Sequence, residues 1–184
     1  YGRNIQQKRS CLADKKDQKS GSDLFTVIDD PFVVGGFGSC LYDGDGFATK
    51  KRTMIKNGVL KEFFVDWYYS RKLEWEPTTG GPSNLLIQPG KRSVETIMKD
   101  LGRGILITGF IGGNSNSTTG DFSVGIFGTL FEDGKLAQTV AEMNIADNHL
   151  NFWNKLVEIG NDPYEYSSWR MPSLVFKDVV VSGV

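Results

Sequence analysis

The chain has 184 residues, 39% hydrophobic and 23% charged, with a formal net charge of −1; that is enough for one domain with a real core, and it lacks the basic footprint of a nucleic-acid binder. No apolar run reaches the ~18 residues of a membrane span and no signal peptide is visible, so the sequence reads as soluble and cytoplasmic, with no membrane or direct nucleic-acid partner. Two cysteines, Cys11 and Cys40, and one histidine, His149, weigh against a disulfide framework and against a self-contained zinc site.

Residues 1–23 carry Arg3, Lys8, Arg9, Lys15, Lys16 and Lys19 among few apolar residues, which predicts an extended, poorly packed, basic approach to a domain spanning 24–184. Tyr1 in place of an initiator methionine suggests a processed or excised piece of a longer chain. Leu24 to Ile28 reads as a short strand, closed by Asp29-Asp30-Pro31 and the loop Gly35-Gly36-Phe37-Gly38. Asp29 and Asp30 are a carboxylate pair of the kind acid–base chemistry uses, yet Asp before Pro commonly initiates a turn, and neither is assigned a catalytic role. Lys51 to Ile55 and Val59 to Val65 flank Lys56-Asn57-Gly58, a hairpin signal. The aromatic cluster Trp67, Tyr68, Tyr69 and Trp75 either lines a groove or packs in the core or an interface, and Pro77 to Pro82 forms a loop after it.

Ser93 caps a predicted helix whose Val94, Ile97, Met98 and Leu101 follow the i, i+3, i+4, i+7 stripe, with Gly102 as its stop. Ile105 to Ile111 is a strand. It leads into Gly112 to Ser123, where Gly112, Gly113 and Gly120 permit unusual backbone angles and the intervening Asn, Ser, Thr and Asp side chains can bond their own backbone. Such a loop either turns a corner between strands or holds an extended peptide through main-chain hydrogen bonds. Val124 to Phe131 and Lys135 to Val140 flank Glu132-Asp133-Gly134, a second hairpin. Phe122, Val124, Ile126 and Leu130 share one face of it, and Gly125 and Gly128 mark close backbone approach or bending. Asp147 to Ile159 reads as a second, largely apolar helix ended by Gly160, with His149 as a cap or surface residue. Ser173 to Val181 is a final strand. The sum is an α+β fold, rich in antiparallel sheet, with two or so helices.

Seven stretches, in this order, resemble the C-terminal domain of the TldD/PmbA family: Leu24 to Pro31, Gly35 to Ser39, Asp45 to Thr49, Ile55 to Leu60, Thr118 to Ser123, Val140 to Ile145 and Ile159 to Pro163. The resemblance implies a metallopeptidase that works as a heterodimer or homodimer on unfolded or flexible peptides. An older label calls such proteins modulators of DNA gyrase, and the near-neutral charge argues against reading it as DNA contact. In the family's catalytic subunit, His-Glu-x-x-x-His in the N-terminal half and a cysteine near the C-terminus hold zinc. This sequence has no His-Glu-x-x-x-His, and Asn161 to Ser173 contains no cysteine. It therefore resembles the PmbA (TldE-like) subunit.

The resemblance implies no catalytic residue, metal ligand or cofactor in this chain, zinc in a TldD-like partner, and a substrate-enclosing role. The expected peptide contacts are Gly35, Gly36 and Gly38 in one loop and Asn114, Asn116, Thr118 and Asp121 in the other, whose glycines let backbone reach a strand-like ligand. The alternatives are a binding or scaffold protein that recognises a folded partner and an autonomous hydrolase using Asp29 or Asp30.

Overall fold

Two kinds of pairing organise the chain: local hairpins with evident turn residues, and long-range pairings without any local signal. A computed structural model describes residues 1–183. In chain order its elements are α1 (Gly2–Gln6), β1 (Val27–Asp29), β2 (Arg52–Lys56), β3 (Val59–Leu60), α2 (Trp67–Leu73), β4 (Leu85–Ile87), α3 (Val94–Leu101), β5 (Arg103–Ser115), β6 (Asp121–Glu132), β7 (Lys135–Asn148), α4 (His149–Phe152), β8 (Leu156–Ile159), β9 (Trp169–Arg170), β10 (Leu174–Phe176) and β11 (Val181–Ser182). They form a five-stranded sheet ordered β3-β2-β1-β4-β9, a four-stranded sheet ordered β11-β7-β6-β5, and the pair β10-β8. All pairings between these strands are antiparallel except β4 with β9. The fold is the antiparallel-rich α+β architecture expected.

Both hairpin turns form. Asn57 and Gly58 have φ of 49° and 73°, and Asp133 and Gly134 have 49° and 72°; positive φ at both central residues suits the twist of the flanking strands. The first hairpin is shorter than predicted, because beyond Leu60 the chain leaves the sheet and Thr78 Oγ1 accepts from Val65 N at 2.8 Å while donating to Phe63 O at 2.8 Å. The second is longer, running from Asp121 to Asn148. Its glycines sit at close approaches: a Cβ on Gly125 would come 2.6 Å from Ile111 O, and one on Gly128 would overlap Leu106 O. Gly128 lies beside an irregularity in register with each neighbouring strand.

Apolar residues then gather in two clusters, one between the five-stranded sheet and the β10-β8 pair and one against the N-terminal segment and α2. Phe25, Ile87, Leu156 and Ile159 form one buried cluster, joined by Val27, Trp153, Leu174 and Phe176; Leu60, Phe63 and Val65 form a second. The α3 helix forms as predicted, with Ser93 Oγ accepting from Thr96 N at 3.3 Å and with Ile97 and Met98 buried. Ile126 is fully buried on β6, where truncation to Ala costs about 3 kcal/mol.

Three expectations are corrected. Residues 1–23 are not an extended, poorly packed approach: Gly2 N donates to Phe64 O at 2.7 Å, and Ile5 and Leu12 pack on the second cluster, so the few apolar residues of the segment are its docking points. The helix predicted over Asp147–Ile159 lasts only one turn, followed by a short 3-10 turn at Trp153–Lys155 and a strand. Its apolar residues serve two purposes: Phe152 and Trp153 pack on Phe176, while Leu156–Ile159 pairs with β10. The strand predicted over 173–181 is split into β10 and β11, with Asp178 at φ 55° between them. Four α-helices stand among the described residues, two of them of five residues or fewer. The predictable one apart, α2 is capped by Asp66, whose Oδ1 accepts from Tyr69 N at 2.7 Å.

Candidate functional site

The loop 31–49 leaves β1 and returns to β2 with an isolated antiparallel bridge between Tyr42 and Ala48, and its backbone is held from within. Asn84 is fully buried; its Oδ1 accepts from Gly38 N at 3.0 Å, and its Nδ2 donates to Asp30 O at 2.8 Å and to Ser39 Oγ at 3.0 Å. Asp30 Oδ1 accepts from Phe32 N at 3.0 Å, and Oδ2 pairs with Lys51 at 2.7 Å. Partial burial alone would raise the Asp30 pKa, but the Lys51 ammonium and the Phe32 amide outweigh it and hold the carboxyl below its ordinary value. Asp43 Oδ1 accepts from Asp45 N and Phe47 N, and Asp45 Oδ2 accepts from Trp67 N at 3.0 Å, tying the loop to α2.

With its polar groups turned inward, the loop turns apolar side chains outward. Val34 is 98% exposed, Phe37 74% and Leu41 68%. The surface continues on both sides: Trp67 and Tyr68 on α2 are half exposed, and beyond Ser168, which approaches Gly38, stand Tyr166 and Trp169. Arg71 lies over Trp67 and Lys72 over Tyr68, at 5.6 and 4.7 Å from the ring centroids. Large exposed apolar patches of this kind mark interaction surfaces.

The two predicted contact loops do not belong to one sheet. Gly35 has φ 67° and open space around it, as an approachable backbone requires, whereas Gly36 and Gly38 are small because the protein itself fills the space. A Cβ on Gly36 would lie 2.8 Å from Asn84 Oδ1, and one on Gly38 would overlap Ser83 O. The other loop is the tip joining β5 to β6. Asn116 N donates to Asp121 O at 2.8 Å and Gly120 N to Asn116 O at 2.7 Å. The Asn116 side chain accepts from Thr118 N, and the Asp121 carboxylate accepts from Thr119 Oγ1 at 2.7 Å and Asn148 Nδ2 at 2.8 Å. Those two bonds hold Asp121 below the ordinary carboxylate pKa. The tip is thus a corner between strands, and Asn114 stands on the bulged end of β5, opposite Ser123.

The N-terminal segment clasps that tip: Cys11 N donates to Ser117 O at 2.8 Å and Ser117 Oγ to Arg9 O at 2.9 Å. His149 stacks on Phe122, with centroids 4.6 Å apart, and its Nε2 lies 3.2 Å from Ser115 Oγ; burial lowers its pKa. Among the described residues no three His, Cys, Asp or Glu side chains gather as a metal-ligand set, and no helix is long and apolar enough to cross a membrane. The outward apolar residues Phe32, Val34, Leu41 and Tyr42 were not singled out in the sequence. The signal was available as apolar residues recurring within a glycine- and aspartate-rich stretch that has no helical or strand period.

A family profile described as the PmbA/TldA metallopeptidase C-terminal domain matches residues 1–183. The chain is 29% identical to the metalloprotease PmbA of Escherichia coli O157:H7, over 99% of its own length and 41% of that protein. Among solved structures it is similar to a candidate modulator of DNA gyrase from Bacteroides thetaiotaomicron VPI-5482, at 45% identity and a TM-score of 0.95, covering 100% of this chain and 42% of that one. It is also similar to TldE from Thermococcus kodakarensis, at 27% identity and a TM-score of 0.90, covering 99% of this chain and 45% of that one. The chain therefore spans about two fifths of the length of the first relatives it matches.

Proposed function

The chain belongs to the PmbA/TldD metallopeptidase family as a C-terminal domain, and from that footing we propose that it acts in proteolysis as a non-zinc subunit, enclosing an unfolded or flexible peptide beside a TldD-like subunit. The observation that carries the proposal is the face built by the loop 31–49, whose backbone is fixed by Asn84 while Val34, Phe37 and Leu41 stand out in solvent. A rigid loop presenting apolar side chains suits a partner surface or an extended chain, because little order is lost on binding.

Among the described residues no three His, Cys, Asp or Glu side chains stand together as a zinc ligand set. His149 is stacked on Phe122, and Asn161–Ser173 is closed by Asp162, which accepts from Ser173 N at 3.0 Å and Ser173 Oγ at 2.7 Å. The proposal therefore assigns the metal to the partner and the enclosing surface to this chain, in a cytoplasmic heterodimer; a homodimer is the variant of the same idea. The candidate peptide contacts are Gly35 in the loop, with Asn114 and Thr118 at the tip. Gly36, Gly38, Asn116 and Asp121 shape those two loops.

The test is coexpression of the full-length chain with a TldD-like chain. A stable complex that cleaves an unfolded peptide, and that loses cleavage on chelation, is the expected result. Val34→Asp with Phe37→Asp is expected to weaken the complex or raise the KM at least tenfold. A complex without cleavage would favour the scaffold reading, and neither complex nor cleavage would overturn the proposal.

A further inference from the structure

Asp29, singled out in the sequence as half of a carboxylate pair, is 2% exposed. Its Oδ1 accepts from Ser83 N and Ser83 Oγ, both at 2.7 Å, and no donor among the described residues bonds Oδ2. The residue lines a cavity of about 350 Å³ beneath the loop 31–49, together with Tyr42, Asp43, Thr49 and Thr79. The neighbouring Asp30 takes Lys51, and no lysine or arginine among the described residues pairs with Asp29. Asp43 uses Oδ1 to hold its own turn. The cavity thus presents two carboxylates and several hydroxyls, and no lysine or arginine among the described residues lines it. A buried carboxylate is costly without a charged partner, and a donor-only cation satisfies both its charge and its open lone pairs.

We infer that this cavity binds an organic cation, a primary ammonium or guanidinium group, carried by the extended peptide that the exposed face receives. The inference rests on the peptide-enclosing reading and names the substrate class for it: peptides bearing a basic group. The volume is at the small end for ligand pockets and suits a single long side chain. Tyr42 and Cys40 belong to both the cavity wall and the exposed loop, so a peptide lying on the face can reach the cavity directly. The same chemistry can come from a lysine or arginine side chain or from a free N-terminus.

The experiment uses the full-length chain in complex with its TldD-like partner and matched fluorescent peptides carrying Lys or Gln at one position, each with a free or acetylated N-terminus. The Lys peptides are expected to bind about tenfold more tightly than the Gln peptides, as a charge-assisted hydrogen bond allows. An advantage that follows the free N-terminus instead assigns the cation to the α-ammonium and equally supports the inference. Asp29→Asn keeps an oxygen for Ser83 and removes the charge, and it should equalise the peptides; a retained preference would overturn the inference. The comparison in the unaltered protein decides the matter even if that variant fails to fold. Peptide binding with no charge preference overturns this inference alone, while binding of no peptide overturns the enclosing role as well.

Discussion

Residues 31–49 and 112–123 are both rich in glycine and small polar side chains, and they differ in where their hydrogen bonds end. At the tip of β5 and β6, Asn116, Thr119 and Asp121 bond one another, Asn148 and the local backbone, so the polar side chains are consumed in shaping the turn. In the loop 31–49, buried Asn84 holds the backbone from below, leaving apolar side chains for contact. Similar composition thus builds a structural corner in one place and a presented surface in the other. What distinguishes them is the location of the partner residues, 45 or more positions away for the loop and almost adjacent for most of the tip.

The sharpest way to break this contrast is Gly38→Ala, whose methyl group would overlap Ser83 O. Overpacking against backbone is expected to cost about 3 kcal/mol, measured by urea unfolding. A loss under about 1 kcal/mol would mean that the loop is not pinned from below. Asn148→Ala probes the tip, removing donors to Thr119 O and Asp121 Oδ1 and the cap on Leu150 N. Its expected cost is about 1.5 kcal/mol, with faster amide exchange confined to 114–121.

Acid should separate the two regions without mutation. Burial lowers the His149 pKa, so the unfolded chain takes up its proton first; the stability this contributes is complete above the unfolded value of about 6.5 and is lost as pH falls through the folded value. Asp30, also depressed on folding, contributes stability above the ordinary carboxylate range near 4 that is lost as pH falls through its own folded value. As pH falls below about 6.5, amide protection around His149 should therefore drop, while the loop 31–49 keeps its protection. Simultaneous loosening of both would show that they are coupled. The smallest expected effect is on Phe37→Ser, where stability should move by less than about 0.5 kcal/mol because the ring is exposed, with any functional change read only in complex or peptide affinity.

How legible the fold was depended on the range of the interactions. The α3 helix carries its cap, stripe and stop within ten residues, and both hairpin turns are stated by adjacent residues. The false helix over 147–159 has an apolar stripe too, but that surface is taken by β10 and the aromatic residues around Trp153, partners beyond any local window. Residues 1–23 misled in the opposite sense, since two apolar residues, Ile5 and Leu12, are enough to dock a basic segment onto a core it does not itself build. At the site, the glycines were visible but their purposes were not. Gly35 is free, while Gly36 and Gly38 answer to Asn84 and Ser83, and sequence distance hides that pairing.

The parallel pair of β4 and β9 has a consequence in time. Leu85 and Leu86 meet Trp169 and Arg170, across a span that must all be synthesised before the five-stranded sheet can be completed. The β2–β3 hairpin can close early, but the last strand adds only after the chain has looped back, a contact whose entropy cost slows folding. Until then the β4 edge is unpaired, and it would be open to another chain's strand. The Asn84 side chain that anchors the exposed loop stands beside that edge. The surface we assign to peptide or partner is therefore finished late in folding, when β9 closes the sheet, and a nascent chain has little time to expose it in its final form.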